Sequence, residues 1–294
     1  KAIKFVYGYL DEDRAARELK ALNRVKSVRH PFLVSLERIE VVDGQLLIVT
    51  ELAEASLKQV FDACRKKGLD GIPRNELLKY MRDAADALDF MSQEHSLQHL
   101  DIKPENLLML AGRVKVADFG LVKDIHDATA SLMGGLTPLY APPEVFDGRP
   151  SRRSDQYSLA IVYQEMLTSE LPFPGTTAVQ LARQHLNARP RLSALPEGDQ
   201  PAIARALSKN PADRFASCSE LVDALCQINV PRDAESTPTV NKTIPPPARH
   251  AKPFGRARPC RPRCTCYTNN TLPLTASGEC RRKSLQLFVA CSTA

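Results

Sequence analysis

An α+β chain is predicted: a strand-rich opening segment with one helix, a longer mainly helical region, and a closing stretch without stable structure. Three observations carry this reading. Short apolar runs separated by turn residues fill the first fifty positions. From Leu77 onward apolar residues recur at three- and four-residue spacing. Beyond Val230 the composition becomes basic and proline-rich.

The elements follow in order. Residues 1–6, Leu36–Val42 and Gln45–Thr50 are short apolar runs, and Asp43-Gly44 between the last two marks a hairpin. A helix over 12–27 precedes that hairpin. Leu77, Leu78, Met81, Ala84, Ala85, Leu88 and Met91 then line one face of a long helix. Leu107–Leu110 and residues 114–117 flank Ala111-Gly112 as a second hairpin. After Asp155 four helical stretches, near 155–168, 176–187, 200–208 and 217–228, are separated by Pro and Gly.

Charge divides the chain at the same place as composition. Of the 40 Lys+Arg and 34 Asp+Glu, 11 cations and 3 acids lie after residue 230, so the tail carries +8 and residues 1–230 carry −2. That tail also holds 9 of the 22 prolines and 5 of the 8 cysteines. Such a stretch buries too little apolar surface to offset its ordering entropy, so disorder is expected over 230–294. Its arginines lack the interleaved aromatics of a single-strand nucleic-acid binder, and no specific nucleic-acid partner is expected. Cys260, Cys264 and Cys266 lack the paired spacing of a zinc site. Scattered cysteines fit a reducing compartment, and a cytoplasmic location is expected. No apolar run approaches the roughly 20 residues of a membrane span, so no transmembrane segment is expected in this chain. The chain starts at Lys1 without a signal-peptide core, which reads as a beginning inside a longer protein.

The chemistry gathers around the second hairpin. His99-Leu100-Asp101-Ile102-Lys103-Pro104-Glu105-Asn106 precedes it and Asp118-Phe119-Gly120 follows it. This order brings two carboxylates, an amide and an ammonium to one end of the hairpin. Phosphoryl transfer needs such a set: oxygen ligands for Mg²⁺, a cation for the phosphate, and a carboxylate to orient the attacking hydroxyl.

The octapeptide and its spacing to Asp-Phe-Gly resemble the catalytic loop of the bacterial, eukaryotic-like serine/threonine protein kinases. Other segments keep the family's order. Lys1-Ala2-Ile3-Lys4 resembles the end of its Val-Ala-Ile-Lys strand, and Glu18 stands in the place of the helix glutamate that pairs with the strand lysine. His30-Pro31-Phe32-Leu33-Val34 resembles its His-Pro-x-x-Val turn, and Val49-Thr50-Glu51-Leu52-Ala53 its hinge. Residues 137–144 resemble Thr-x-x-Tyr-x-Ala-Pro-Glu with Pro142 in the usual Ala position, and Asp213-Arg214-Phe215 resembles its late arginine motif.

The resemblance implies a two-lobed protein-kinase-like fold: a partial β-rich lobe over 1–53, a mainly helical lobe over 54–229, and the 230–294 tail. It implies ATP and Mg²⁺ as cofactors and Ser/Thr-bearing protein substrates. Asp101 would orient the substrate hydroxyl, and Lys103 would meet the γ-phosphate. Asn106 and Asp118 would hold the metal. Lys4, paired with Glu18, would contact the α- and β-phosphates. Ala2 and Leu108 would sandwich the adenine, to which Glu51 and Ala53 would offer backbone groups, with Ser56 near the ribose. Leu22, Leu36, His99 and Phe119 would stack into the column joining the lobes. Glu144 and Arg214 would form a buried ion pair, and Asp155 would cap backbone donors near the catalytic loop.

Two departures qualify these expectations. The family's glycine-rich loop would precede Lys1, so this stretch by itself is expected to bind ATP weakly. Leu100 replaces the arginine that receives an activation-loop phosphate, so activation through Thr129 or Ser131 by that electrostatic route is not expected. Two other readings stand beside the kinase: a catalytically weak nucleotide-binding scaffold, and a small-molecule phosphotransferase of related fold.

Overall fold

A computed structural model describes residues 1–6, 22–23, 25–42, 45–119, 123–124, 137–227 and 288–290 of the chain. Its first part is an antiparallel sheet built from β1 (Ala2–Val6), β2 (Leu36–Val42), β3 (Gln45–Thr50) and β9 (Phe288–Ala290), in the order β2-β3-β1-β9. The β1–β3 register runs from Ala2 opposite Thr50 to Val6 opposite Leu46. Strands β2 and β3 have the limits expected from the sequence, while the Asp43-Gly44 turn lies outside the described residues. Of the helix expected over 12–27, only the end is described: residues 22–23 and 25–26 are helical, and Leu22 and Val25 are buried. Glu18 lies outside the described residues.

The tail differs from its expectation at one point. Within 230–294 the described residues are Phe288–Ala290, and they form a strand where disorder was expected. Strand β9 pairs antiparallel with β1, Ala2 opposite Ala290 and Lys4 opposite Phe288. The physical reason is the β1 edge, whose backbone donors and acceptors attract any extended segment able to pair with them. Composition gives no warning of such a pairing.

A short connection leads from β3 to β4 (Ala55–Ser56) and the helix α1 (Leu57–Lys66). Ser56 is its N-cap: the hydroxyl oxygen accepts from the Gln59 N–H, and the Gln59 side chain accepts from the Ser56 N–H at 2.8 Å. This reciprocal cap starts the helix. The long helix α2 (Arg74–His95) buries the expected face, including Leu77, Leu78, Met81, Ala84, Ala85, Leu88 and Met91. It ends at Ser96, whose φ of 54° is left-handed.

The second hairpin pairs β6 (Leu107–Leu110) with β7 (Arg113–Val116), Leu107 opposite Val116, and β4 adds to the β6 edge. Its turn holds Ala111 and Gly112 at φ of 50° and 73°. Two successive positive φ values fit a two-residue hairpin turn, and Gly112 adopts its value without steric cost. Two short strands, β5 (Leu97–Gln98) and β8 (Lys123–Asp124), pair beside the loop that follows α2. Val116 also ties the two parts of the molecule: its N–H donates to Phe32 O at 2.8 Å and its carbonyl accepts from Val34 N at 2.9 Å.

The remaining helices are α3 (Pro143–Phe146), α4 (Ser154–Thr168), α5 (Ala178–Asn187), α6 (Gln200–Ala206) and α7 (Cys218–Cys226). Helix α4 is buried on nearly every side, which places it at the centre of the helical region. Two charge pairs fasten helices to each other and to the hairpin. Arg74 forks onto Asp199 at 2.6 and 2.9 Å, and Arg113 onto Asp83 at the same distances. No helix among the described residues is long and apolar enough to cross a membrane.

Candidate active site

The catalytic loop starts where β5 ends, and its backbone is held by a carboxylate from another helix. Asp155, near the start of α4, accepts the N–H of His99 and of Leu100, each at 2.8 Å. This is the capping role expected for it. Burial raises the pKa of Asp155, and the neighbouring His99 and the two N–H bonds oppose the rise. The restraint holds an unusual backbone: Leu100 has a φ of 63°, a region that costs a bulky residue roughly 1–3 kcal/mol. Its side chain is buried against Val145. An apolar contact therefore stands where the family resemblance would place a phosphate-binding arginine.

His99 joins the two halves of the site. It is fully buried; its Nδ1 accepts from the Asp101 N–H at 3.3 Å, which leaves Nε2 to donate to Ala117 O at 2.9 Å. Its ring lies 5.6 Å from that of Phe119. Leu22, Leu36, His99 and Phe119 are each nearly inaccessible to solvent, as the expected column requires.

Asp101 is surrounded by donors. Lys103 Nζ donates to Oδ2 at 2.6 Å, Asn106 Nδ2 to the same oxygen at 3.1 Å, and Thr137 Oγ1 to Oδ1 at 2.9 Å. Lys103 also donates to Thr137 Oγ1 at 3.1 Å, closing a ring of three side chains. Asn106 sits in the one-turn 3-10 helix Pro104–Asn106 that leads into β6. Its Nδ2 makes a second bond to Asp101 O at 2.8 Å, so the amide orientation is set and Oδ1 remains as its acceptor side. Sequence reasoning gave Thr137 no catalytic role. It lies 36 residues from Asp101, and the one available signal was its position at the head of the 137–144 segment.

Asp118 approaches from the far end of the hairpin with a φ of 64°. Its Oδ1 takes Lys4 Nζ at 2.6 Å. Burial alone would raise its pKa, but the charge and hydrogen bond of Lys4 outweigh burial, with His99 and Lys103 adding to the effect, and the carboxyl ends below its ordinary value. The strand lysine and the Asp118 carboxylate are thus brought together, while Glu18, its expected partner, lies outside the described residues.

The residues expected beside the adenine lie on β1, on β6 and in the connection after β3. Ala2 is buried two residues before Lys4 on the same face of β1, and Leu108 follows Asn106 by two residues on β6. Glu51 and Ala53 lie in the connection after β3. The Glu51 side chain is engaged by Lys115 at 2.8 and 2.9 Å and by the Ser35 N–H at 2.9 Å, and its carbonyl accepts from Thr50 Oγ1 at 3.1 Å. Ser56, expected near the ribose, is occupied as the cap of α1.

The donor set fits the groups that the resemblance implied. Asp118 keeps one carboxylate oxygen beyond its bond to Lys4, and Asn106 presents Oδ1. These are the hard oxygen ligands that Mg²⁺ takes. Lys4 and Lys103 supply the cations that phosphate oxygens require.

Below the loop, Arg214 forks onto Glu144 at 2.7 Å through both nitrogens, and both residues are buried. Ser154 Oγ completes the carboxylate at 2.8 Å. This expected pair fixes the end of the segment that carries Thr137.

Comparison with known proteins agrees with the geometry. Residues 2–237 match the family model described as protein kinase domain. A stretch of 200 residues is 34% identical to the serine/threonine-protein kinase PknL of Mycobacterium tuberculosis, covering 65% of this chain and 45% of the relative. PknF of the same species is 32% identical over 229 residues, 73% of this chain and 47% of the relative. PknB of Mycobacterium leprae is 32% identical over 239 residues, 75% of this chain and 36% of the relative. The chain therefore spans less than half the length of these curated relatives. By its matched region and by the order of its motifs, the chain belongs to the protein kinase family.

Proposed function

We propose that this chain transfers the γ-phosphoryl group of ATP to Ser/Thr hydroxyls of protein substrates. The observation that carries the reading is the closed set of Asp101, Lys103, Asn106 and Thr137, with contacts of 2.6 to 3.1 Å, beside the Lys4–Asp118 pair. In this reading residues 1–53 grip the nucleotide and residues 54–229 carry the acceptor, while the 230–294 tail adds Phe288–Ala290 to the edge of β1.

Asp101 accepts the hydrogen bond of the incoming hydroxyl and orients its oxygen toward the phosphorus, a contribution of roughly 10²–10⁴-fold for a positioned base. Thr137 and Lys103 hold that carboxylate in place. Lys103 then faces the phosphoryl group in transit and balances its charge. Lys4 meets the α- and β-phosphates, with Glu18, on the helix expected after β1, as its partner, while Ala2 and Leu108 enclose the adenine and Glu51 and Ala53 offer backbone groups to its edge. Asn106 and Asp118 would hold Mg²⁺, which would supply Lewis-acid stabilisation of the phosphate oxygens. The cytoplasm is the proposed setting, supported by the free thiols Cys64, Cys218 and Cys226. Proteins, and not nucleic acids, are the proposed partners.

Incubation with γ-phosphate-labelled ATP, Mg²⁺ and dephosphorylated casein tests the proposal. Label recovered as phosphoserine or phosphothreonine is the expected result. A thermal shift with Mg·ATP but no transfer would favour the nucleotide-binding scaffold, and label on an aminoglycoside but not on casein would favour the small-molecule phosphotransferase.

A further inference from the structure

Four residues, 51–54, join the opening sheet to the hairpin sheet, running from the end of β3 to β4, which pairs with β6. None of the four belongs to a helix or strand. A connection of this kind takes one geometry only where contacts from outside select it. Glu54 fixes the far end: its N–H donates to Met109 O at 2.9 Å, and its Oε1 accepts the Ala111 N–H at 3.0 Å. Glu51 fixes the near end through its side chain. Its Oε1 accepts from the N–H of Ser35, the residue before β2, at 2.9 Å, and Lys115 Nζ on β7 donates to Oε1 at 2.8 Å and to Oε2 at 2.9 Å. One carboxylate thus bridges the two sheets.

Ion pairs on a protein surface contribute little as a rule. The Lys115–Glu51 pair differs in its setting. Its side chains are 18% and 20% exposed, against 35% and 46% for Lys58 and Asp62 on α1, and it engages both carboxylate oxygens. Without the ammonium, the half-buried carboxylate would keep the Ser35 N–H and gain by turning toward water, which an irregular connection permits.

The cation also has a definite place in the hairpin. Lys115 stands directly opposite Leu108 in the β6–β7 ladder. Directly opposed residues share a face of the sheet, so the lysine leaves the hairpin beside the leucine proposed to enclose the adenine. A contact from that position to Glu51 sets the spacing between Leu108 and the backbone proposed to meet the edge of the base.

We infer that Lys115 is a positioning residue for adenine recognition: by holding the Glu51 carboxylate it fixes the backbone of 51–53 in one geometry relative to Leu108. Its loss is felt by the base and not by the phosphates, which are assigned to Lys4 and Lys103. The consequence for ATP rests on the nucleotide reading above; the fixing of the connection does not.

Titration calorimetry of the full chain with Mg·ATP, and with Mg·tripolyphosphate, which lacks the nucleoside, tests this. Lys115→Met keeps the stem and removes the charge. A connection that visits other geometries binds in proportion to its competent fraction, so the Kd for Mg·ATP is expected to rise about fivefold to tenfold. The Kd for Mg·tripolyphosphate should stay within about twofold, because that ligand does not distinguish the geometries. Lys115→Arg, whose guanidinium can fork onto both oxygens, is expected to bind Mg·ATP within about twofold of the wild type. In label transfer to casein, Lys115→Met should raise the KM for ATP by the same factor and leave kcat and the KM for casein within about twofold. Amide hydrogen exchange over 50–56 should rise in Lys115→Met and stay unchanged in Lys115→Arg. Glu51→Gln is the second variant, should Lys115→Met not fold, and is expected to behave alike because it breaks the same pair. Unchanged Mg·ATP affinity in the folded variant overturns the inference, as does equal weakening of Mg·ATP and Mg·tripolyphosphate or a failure of Lys115→Arg to rescue. Absence of Mg·ATP binding by the wild type counts against the nucleotide reading, and exchange over 50–56 then decides whether Lys115 fixes the connection.

Discussion

The catalytic loop and the opening sheet meet at one ion pair, yet they are held together by different physics. Around the loop, charged groups are buried and satisfied: Asp155 caps two backbone donors, Glu144 receives both nitrogens of Arg214, and His99 spans from Asp101 to Ala117. In the sheet, β2 buries Leu36 and half-buries Ile39, but exposes its other described residues, with Val41 at 58% and Val42 at 46%. The difference teaches where geometry is demanded. Orienting a hydroxyl against a phosphorus tolerates little displacement, and buried hydrogen bonds supply that rigidity. A sheet that grips a nucleotide, as proposed for this one, must open and close around its ligand, which a strand as exposed as β2 permits.

Substitutions can sharpen or break this contrast. The largest stability effect is expected at Glu144→Ala, which leaves Arg214 buried without its counter-charge and should lower stability by roughly 3–5 kcal/mol. Chemical denaturation measures it, and a loss under 1 kcal/mol would show that the helical region does not depend on the pair. Asp155→Ala removes two charge-assisted bonds from a strained loop, and a loss of about 2–4 kcal/mol is expected. Transfer activity should fall with it even at temperatures where the variant is folded.

The ion pair between the regions should contribute less, about 1 kcal/mol, because neither partner is fully buried. Its pH dependence has a definite sign. The Asp118 carboxyl is depressed in the folded protein, so its contribution is fully present above the ordinary carboxylate range and is lost as pH falls through the depressed value. Lys4→Met should therefore lower stability near neutrality and leave it nearly unchanged at the acid end of that window, as read by denaturant midpoints across pH. The smallest effect is expected in the sheet, where Val41→Ser at an exposed strand position should change stability by no more than about 0.5 kcal/mol. A larger loss there would erase the contrast.

Much of this arrangement was legible in the sequence because the informative signals are local. The limits of β2 and β3, the apolar face of α2, the hairpin at Ala111-Gly112 and the order of Asp101, Lys103, Asn106 and Asp118 all lie within short windows. The Glu144–Arg214 pair spans 70 residues and was reachable only through resemblance. What escaped depends on distant partners or on backbone strain. Thr137 shows its role only when it meets Asp101, and the positive φ of Leu100 is stabilised by Asp155, 55 residues away. Helix α1 escaped because its apolar face is short, with Leu57 and Phe61 as its buried residues, and because it begins at the end of a hinge read as loop. Strand β9 escaped for a different reason: nothing in Phe288–Ala290 itself names the β1 edge as its partner.

Asp101 carries the central claim, and one paired measurement reaches it. Mg·ATP thermal shift and label transfer to casein would be recorded side by side for the wild type, Asp101→Asn and Asp118→Asn. The expected result is that Asp101→Asn keeps the nucleotide-dependent shift and loses transfer by roughly 10²-fold or more, while Asp118→Asn loses both. Transfer by Asp101→Asn at the wild-type rate would contradict the account.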